Sequence, residues 1–145
     1  MNEQFDIILA EDNASDAELA IRALRKNNIM NSILHLQDGE ELLDYLFGVA
    51  PHVNRSLAQI PKVILLDLKM PKVNGLDVLK RIKFDERTKI IPVILLTSSK
   101  EDKDIEAGYR LGANSYIVKP VGFDNFTKSI AEIGLYWILA NQPPK

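Results

Sequence analysis

Five polar residues carry the chemistry open to this chain: Glu11, Asp12, Asp67, Thr97 and Lys119. Each stands where a short apolar run stops. Two or three carboxylates brought together repel one another, and a cation relieves the cost. All-oxygen ligation with open positions favours Mg²⁺, which takes one or two carboxylates, several waters and a substrate phosphate. Asp67, alone at the end of its run, is then a candidate nucleophile that accepts a phosphoryl group as an acyl phosphate. Charge spread over the equatorial oxygens of the transition state calls for a cation and a hydroxyl beside the metal, and Lys119 and Thr97 offer these. Taken singly, an Asp at a strand end is a solvated cap, a Lys a surface charge and a Thr a β-branched strand residue. Five such residues in equivalent positions make a site.

The elements that must position them follow from periodicity. Residues 5–10, 63–66, 93–96 and 116–118 are short and rich in Ile, Leu and Val, as parallel strands buried on both faces are. Residues 32–36 read as a weaker strand. Helical stretches alternate with the strands, which implies right-handed crossovers and helices on both faces of one sheet. Ser15 with Glu18 forms a capping box for a helix with Ala17, Ile21 and Leu24 inward, ending near Asn27 and Asn28. Asp38-Gly39 opens a second helix with Leu42, Leu43, Leu46 and Phe47 on its apolar side, and Gly48 ends it. A turn at 71–75 leads to a helix with Leu76, Leu79 and Ile82 inward. Ser99 caps a polar helix over 100–111 that stops at Gly112, a left-handed position. The last helix, 123 to about 140, places Phe126, Ile130, Ile133 and Trp137 at helical spacing. Between the second helix and the third strand, residues 49–61 lose periodicity and read as a surface loop.

Composition limits the alternatives. The chain has 145 residues with 46% hydrophobic content, enough for one domain with a real core. A net charge of −2 gives no field aimed at nucleic acid or an anionic membrane. Cysteine is absent, which excludes disulfides and thiolate metal sites. The first residues lack a signal peptide pattern, and no apolar run approaches the ~20 residues that span a bilayer. The expectation is a cytoplasmic protein without nucleic-acid or membrane partners.

The segments Leu9-Ala10-Glu11-Asp12-Asn13, Leu66-Asp67-Leu68-Lys69-Met70-Pro71 with Gly75, Leu96-Thr97-Ser98-Ser99 and Tyr116-Ile117-Val118-Lys119-Pro120 together resemble the response-regulator receiver domain of two-component signalling. The resemblance covers almost the whole chain in order and spacing. It implies a doubly wound α/β fold with five parallel strands in the flavodoxin-like order 2-1-3-4-5. It implies that Asp67 is phosphorylated by a sensor histidine kinase or a histidine phosphotransfer protein. Asp12, Asp67 and the backbone carbonyl of Lys69 would hold Mg²⁺, with Glu11 assisting through water. Thr97 and Lys119 would contact the phosphoryl group, Tyr116 would change rotamer on activation, and the Lys119-Pro120 peptide would be cis. Gly75 would be structural. The long loop, Asn114-Ser115-Tyr116 and Tyr136-Trp137 resemble small stand-alone regulators serving phytochrome-type and related hybrid kinases, with 49–61 an insertion.

The expected organisation is a single receiver domain over 1–145, core about 5–140, with no output domain. Readout would then pass through an unidentified downstream protein or through self-association. Leu135 and Leu139 face outward on the last helix, either as scattered surface leucines or as a homodimer face. His35 and His52 read as an ordinary strand residue and a loop residue. The charges at 100–104 are either a solvated helix start or part of the output face.

Two departures bear on lifetime. The residue two after the acceptor is Lys69 and the residue two after the threonine is Ser99, and neither positions water as an acid or amide would. A long-lived acyl phosphate is the expectation. A rival class, the haloacid-dehalogenase-type phosphohydrolases, uses similar parts but needs a general acid where Lys69 stands, and its acid motif comes late in the chain. Turnover of p-nitrophenyl phosphate separates the two. A binding module that never takes phosphate is a third reading.

Overall fold

The computed structural model describes residues 5–26, 32–47, 61–70, 73–97, 102–118 and Lys128. In chain order the elements are β1 (Ile7–Ala10), α1 (Ala14–Lys26), β2 (Ile33–Leu36), α2 (Gly39–Phe47), β3 (Val63–Asp67), α3 (Gly75–Lys83), β4 (Val93–Thr97), α4 (Asp102–Arg110) and β5 (Ser115–Val118). All strand pairings are parallel, and the sheet order is β2-β1-β3-β4-β5. This is the doubly wound, flavodoxin-like arrangement expected from the sequence.

Helices cover both faces. Ile7, Leu9, Val63, Leu65, Ile94, Leu96 and Ile117 turn to one side and meet Ala17, Ala20, Ala23 and Leu24 of α1. Three alanines on that helix let its backbone lie close to the sheet. Ile8, Ala10, Ile64, Leu66, Val93 and Leu95 turn to the other side, where Leu42 and Tyr45 of α2 and Val78, Leu79 and Ile82 of α3 pack. Each fully buried Ile or Leu removed from water contributes roughly 1.5–3 kcal/mol, so the central strands hold the fold. Residues of β2 are only partly buried, as an edge strand's are, which is why that strand is the weak one in the sequence.

Boundaries differ from the sequence expectation in places. The first strand begins at Ile7 rather than residue 5, because Asp6 already bends and its carbonyl accepts from the Lys62 and Val63 amides at 2.7 and 3.3 Å. Helix α1 is capped by Asn13, not by a Ser15–Glu18 box: the Asp16 amide donates to Asn13 Oδ1 at 3.0 Å. Glu18 is instead an exposed partner of Arg22 at 3.9 Å. Asn caps as well as Ser does, so the choice fell to the loop that precedes it. At α2 the Glu41 amide donates to Asp38 Oδ1 at 2.8 Å, and Asn74 caps α3 through the Asp77 amide at 3.0 Å.

Helix α4 ends in a Schellman turn, with the Gly112 amide on the Tyr109 carbonyl and the Ala113 amide on the Gly108 carbonyl, both at 3.0 Å. Gly112 has φ 107°, the left-handed conformation expected of it. The loop at 49–60, Gly48, Asn27, Asn28, Pro71, Ser99 and the helix expected over 123–140, including Leu135 and Leu139 but not Lys128, lie outside the described residues.

Candidate functional site

The chain runs from β1 to β2 on one side and then returns to β3 on the other, so the sheet reverses direction between β1 and β3. At such a switch point the two loops leaving the strand ends separate and open a crevice at the carboxyl edge. Glu11 and Asp12 follow β1 immediately and Asp67 is the last residue of β3. Carboxylate oxygens of these three residues all lie within 4.8 Å of one another.

Two of the three are buried: Glu11 is 1% exposed and Asp67 4%, whereas Asp12 faces solvent. Like charges held this closely, two of them away from water, need a neutralising partner. Hard oxygen donors suit a hard divalent cation, and a solvent-facing ligand leaves room for waters and a phosphate. The donor set therefore fits a divalent metal.

Backbone groups fix the cluster. The Glu11 amide donates to the Leu36 carbonyl at 3.0 Å, extending the β1–β2 ladder by one step. The Asn13 amide donates to Glu11 Oε2 at 3.2 Å, turning that carboxylate back toward its own loop. His35 Nε2 lies 2.8 Å from the Glu11 carbonyl; a carbonyl only accepts, so Nε2 carries the proton. On the other strand the Lys69 amide donates to Asp67 Oδ1 at 3.1 Å. That bond fixes one carboxylate oxygen.

Gly75 completes the support. Its amide donates to the Leu68 carbonyl at 2.8 Å, drawing the start of α3 onto the loop after Asp67. A Cβ at position 75 would stand 2.5 Å from the Asp67 carbonyl oxygen and 2.5 Å from the Leu68 Cα, so only glycine allows this approach.

Thr97 is the last residue of β4, and Leu96 beside it pairs with Asp67. By register Thr97 pairs with Val118, the last residue of β5. Lys119 and Pro120, with the peptide between them, lie outside the described residues. Tyr116, partly buried, pairs with Leu95 and packs on the α2–α3 face of the sheet.

The structure thus brings Glu11, Asp12 and Asp67 together and sets Thr97 one strand away. Sequence reasoning passed over two supporting residues. His35 has the sequence signature of an ordinary strand residue, yet its ring holds the carbonyl of Glu11. Asn13, next to the acidic pair, both caps α1 and holds Glu11. An Asn directly before a helix start was the available signal; nothing local marks His35.

Comparison with known proteins agrees with this geometry. The family model described as the response regulator receiver domain matches residues 7–131. The probable methanogenesis regulatory protein FilR2 of Methanothrix harundinacea is 41% identical over 140 residues, covering 97% of this chain and 88% of its own length. Response regulator Rcp1 of Synechocystis is 33% identical over 132 residues, covering 91% and 88%. A crystal structure of Rcp1 in a Mn²⁺-bound form superposes with a TM-score of 0.85 at 32% identity, over 96% of this chain and 98% of that one. The phosphorylated cyanobacterial phytochrome response regulator RcpA superposes with a TM-score of 0.88 at 33% identity, over 99% and 100%.

Proposed function

This chain belongs to the response regulator receiver family, a family of phosphorylation-dependent signalling switches, and from that premise we propose that Asp67 is its phosphoacceptor. The observation that carries the proposal is the convergence of Glu11, Asp12 and Asp67 at the switch point of the sheet. A carboxylate oxygen of Asp67 attacks the phosphorus of a phosphohistidine on a sensor kinase or phosphotransfer protein. The P–N bond breaks, the imidazole leaves with its electron pair, and an acyl phosphate forms on Asp67.

Asp12 and Asp67 with the Lys69 carbonyl hold Mg²⁺, and Glu11 assists through water. Bound there, the ion neutralises the carboxylates and offsets charge on the phosphoryl oxygens. That Rcp1 crystallises in a Mn²⁺-bound form and RcpA in a phosphorylated one supports a divalent ion and an acyl phosphate here. Thr97 hydrogen-bonds a phosphoryl oxygen, Lys119 pairs with another, and the Lys119-Pro120 peptide is cis. The position of Thr97 beside the partner of Asp67 supports its part.

Phosphorylation moves Tyr116 to a second rotamer and changes the surface that a downstream protein or a second copy reads. Leu135 and Leu139 are the proposed dimer face, and charge at both shifts a dimer to monomer in sedimentation. The similarity to RcpA supports a phytochrome-type or related kinase as the donor. Among the described residues no helix is long and apolar enough to cross a membrane.

The test is Mg²⁺-dependent labelling with acetyl phosphate or beryllofluoride, read by mass on wild type and Asp67→Asn. A stable adduct lost in the variant is expected. Rapid phosphate release with turnover of p-nitrophenyl phosphate would favour a hydrolase instead.

A further inference from the structure

Tyr116 does not stand alone on its face of the sheet. The ring of Tyr109, from the last turn of α4, lies with its centroid 6.5 Å from that of Tyr116, the planes tilted by 35°. This is within the range of aromatic pairs whose offset geometry is attractive. Tyr109 is 50% exposed, so half of its surface faces solvent while the ring contacts its neighbour.

The residue before it makes the approach feasible. Gly108 is buried, and a Cβ there would stand 2.6 Å from Leu95 Cδ1 and 3.6 and 3.8 Å from Tyr116 Cδ2 and Cε2. Bare backbone at 108 therefore lies over Leu95 and along the edge of the Tyr116 ring. Leu95 is the strand partner of Tyr116 and precedes Thr97 by two residues on β4.

The turn that carries both residues is tied down. The carbonyls of Gly108 and Tyr109 are the two acceptors of the Schellman turn, each at 3.0 Å from its donor. Asn114, which leads into β5, donates its amide to the Val93 carbonyl at 2.8 Å and accepts from the Val93 amide at 2.9 Å. The turn between α4 and β5 is thus tied to the end of α4 on one side and to β4 on the other, and the Tyr116 ring sits beside that fixed backbone.

We propose that Tyr109 is a positioning residue for Tyr116: Gly108 and Tyr109 form a fixed seat for the Tyr116 ring, and loss of the Tyr109 ring releases it. The proposal rests on the reading of Tyr116 as the switch for its consequence in signalling, though not for the seat itself. Tyr109 thereby puts an exposed aromatic surface in direct contact with a side chain that answers to Asp67. Removing one aromatic partner shifts a rotamer population by about 2- to 10-fold.

The test places a fluorotyrosine at position 116 of the full chain and follows its ¹⁹F resonance in wild type, Tyr109→Ala and Tyr109→Phe, with and without Mg²⁺ and beryllofluoride. The expected result without beryllofluoride is a shifted or second resonance in Tyr109→Ala, with a 2- to 10-fold change in population, and a spectrum like wild type in Tyr109→Phe. Rescue by Phe, which keeps the ring and lacks the hydroxyl, assigns the seat to the ring; a spectrum of Tyr109→Phe like that of Tyr109→Ala would overturn a seat made by the ring. Superposable spectra for wild type and Tyr109→Ala would overturn the seat, even if beryllofluoride moves the resonance in both. A wild-type resonance indifferent to a bound beryllofluoride would overturn the switch role of Tyr116, while the metal-free comparison of the variants still decides the seat.

Discussion

Gly75 presses on the backbone of Asp67 so closely that a Cβ at 75 would lie 2.5 Å from the Asp67 carbonyl oxygen. The contact is backbone against backbone and cannot be relieved by a rotamer change. The Asn74 cap and the Gly75–Leu68 hydrogen bond pin the helix start where it is, so the strain of any added atom would pass into the loop after β3.

The first prediction is therefore that Gly75→Ala costs stability and function together. Overpacking of this kind costs about 1–3 kcal/mol, to be read from urea denaturation. Labelling of Asp67 by acetyl phosphate should slow in the same variant. Full stability with normal labelling would mean that α3 shifts freely at its start.

Crowded carboxylates predict opposite effects of charge removal with and without metal. In a chelator, Asp67→Asn or Asp12→Asn should raise the melting temperature, since each relieves repulsion within the cluster. Wild type should gain about 1.4 kcal/mol from Mg²⁺ at ten times its Kd, and the variants little or nothing. Calorimetry with and without Mg²⁺ checks both; a wild-type transition indifferent to the ion would remove the metal from this site.

Lys83 gives a pH dependence remote from the site. Its Nζ donates to the Ile91 carbonyl at 2.6 Å and to the Lys89 carbonyl and Asn114 Oδ1 at 3.2 Å each. Burial disfavours the ammonium and lowers its pKa from 10.5 to about 8. Between those values the unfolded chain holds a proton that the folded chain has released, so stability from this group rises with pH and the penalty is full below about 8. Discounted for its partial exposure, the gain is about 1–2 kcal/mol. Wild type should gain on Lys83→Met by that amount from pH 8 to 10.5 in chemical denaturation; a constant difference would show that Lys83 titrates as if free.

Lys69 bears on lifetime. Its side chain is exposed, and its amide is committed to Asp67 Oδ1. An ammonium at this rim cannot orient water as a side-chain amide can, so the acyl phosphate should outlive that of Lys69→Asn severalfold. Phosphate release from the labelled proteins measures it, and equal rates would leave Lys69 without a part in lifetime.

Much of this molecule was legible in its residues. Runs of Ile, Leu and Val long enough for a strand and too short for a helix, bounded by Gly, Pro and Asp, announce buried parallel strands because a doubly covered strand has no polar face. The acidic pair after the first run and Asp67 after the third mark the crevice by the same logic. What lay beyond local reading depends on partners distant in sequence. Asn13 rather than Ser15 caps α1 because Glu11, fixed by β2, holds the Asn13 amide. His35 reaches the Glu11 carbonyl only once β1 and β2 are paired. The Tyr109–Tyr116 contact needs α4 folded back over β5. Periodicity fixes which face of an element is buried, since that is a property of one segment; which atoms then meet is decided by packing, a property of two.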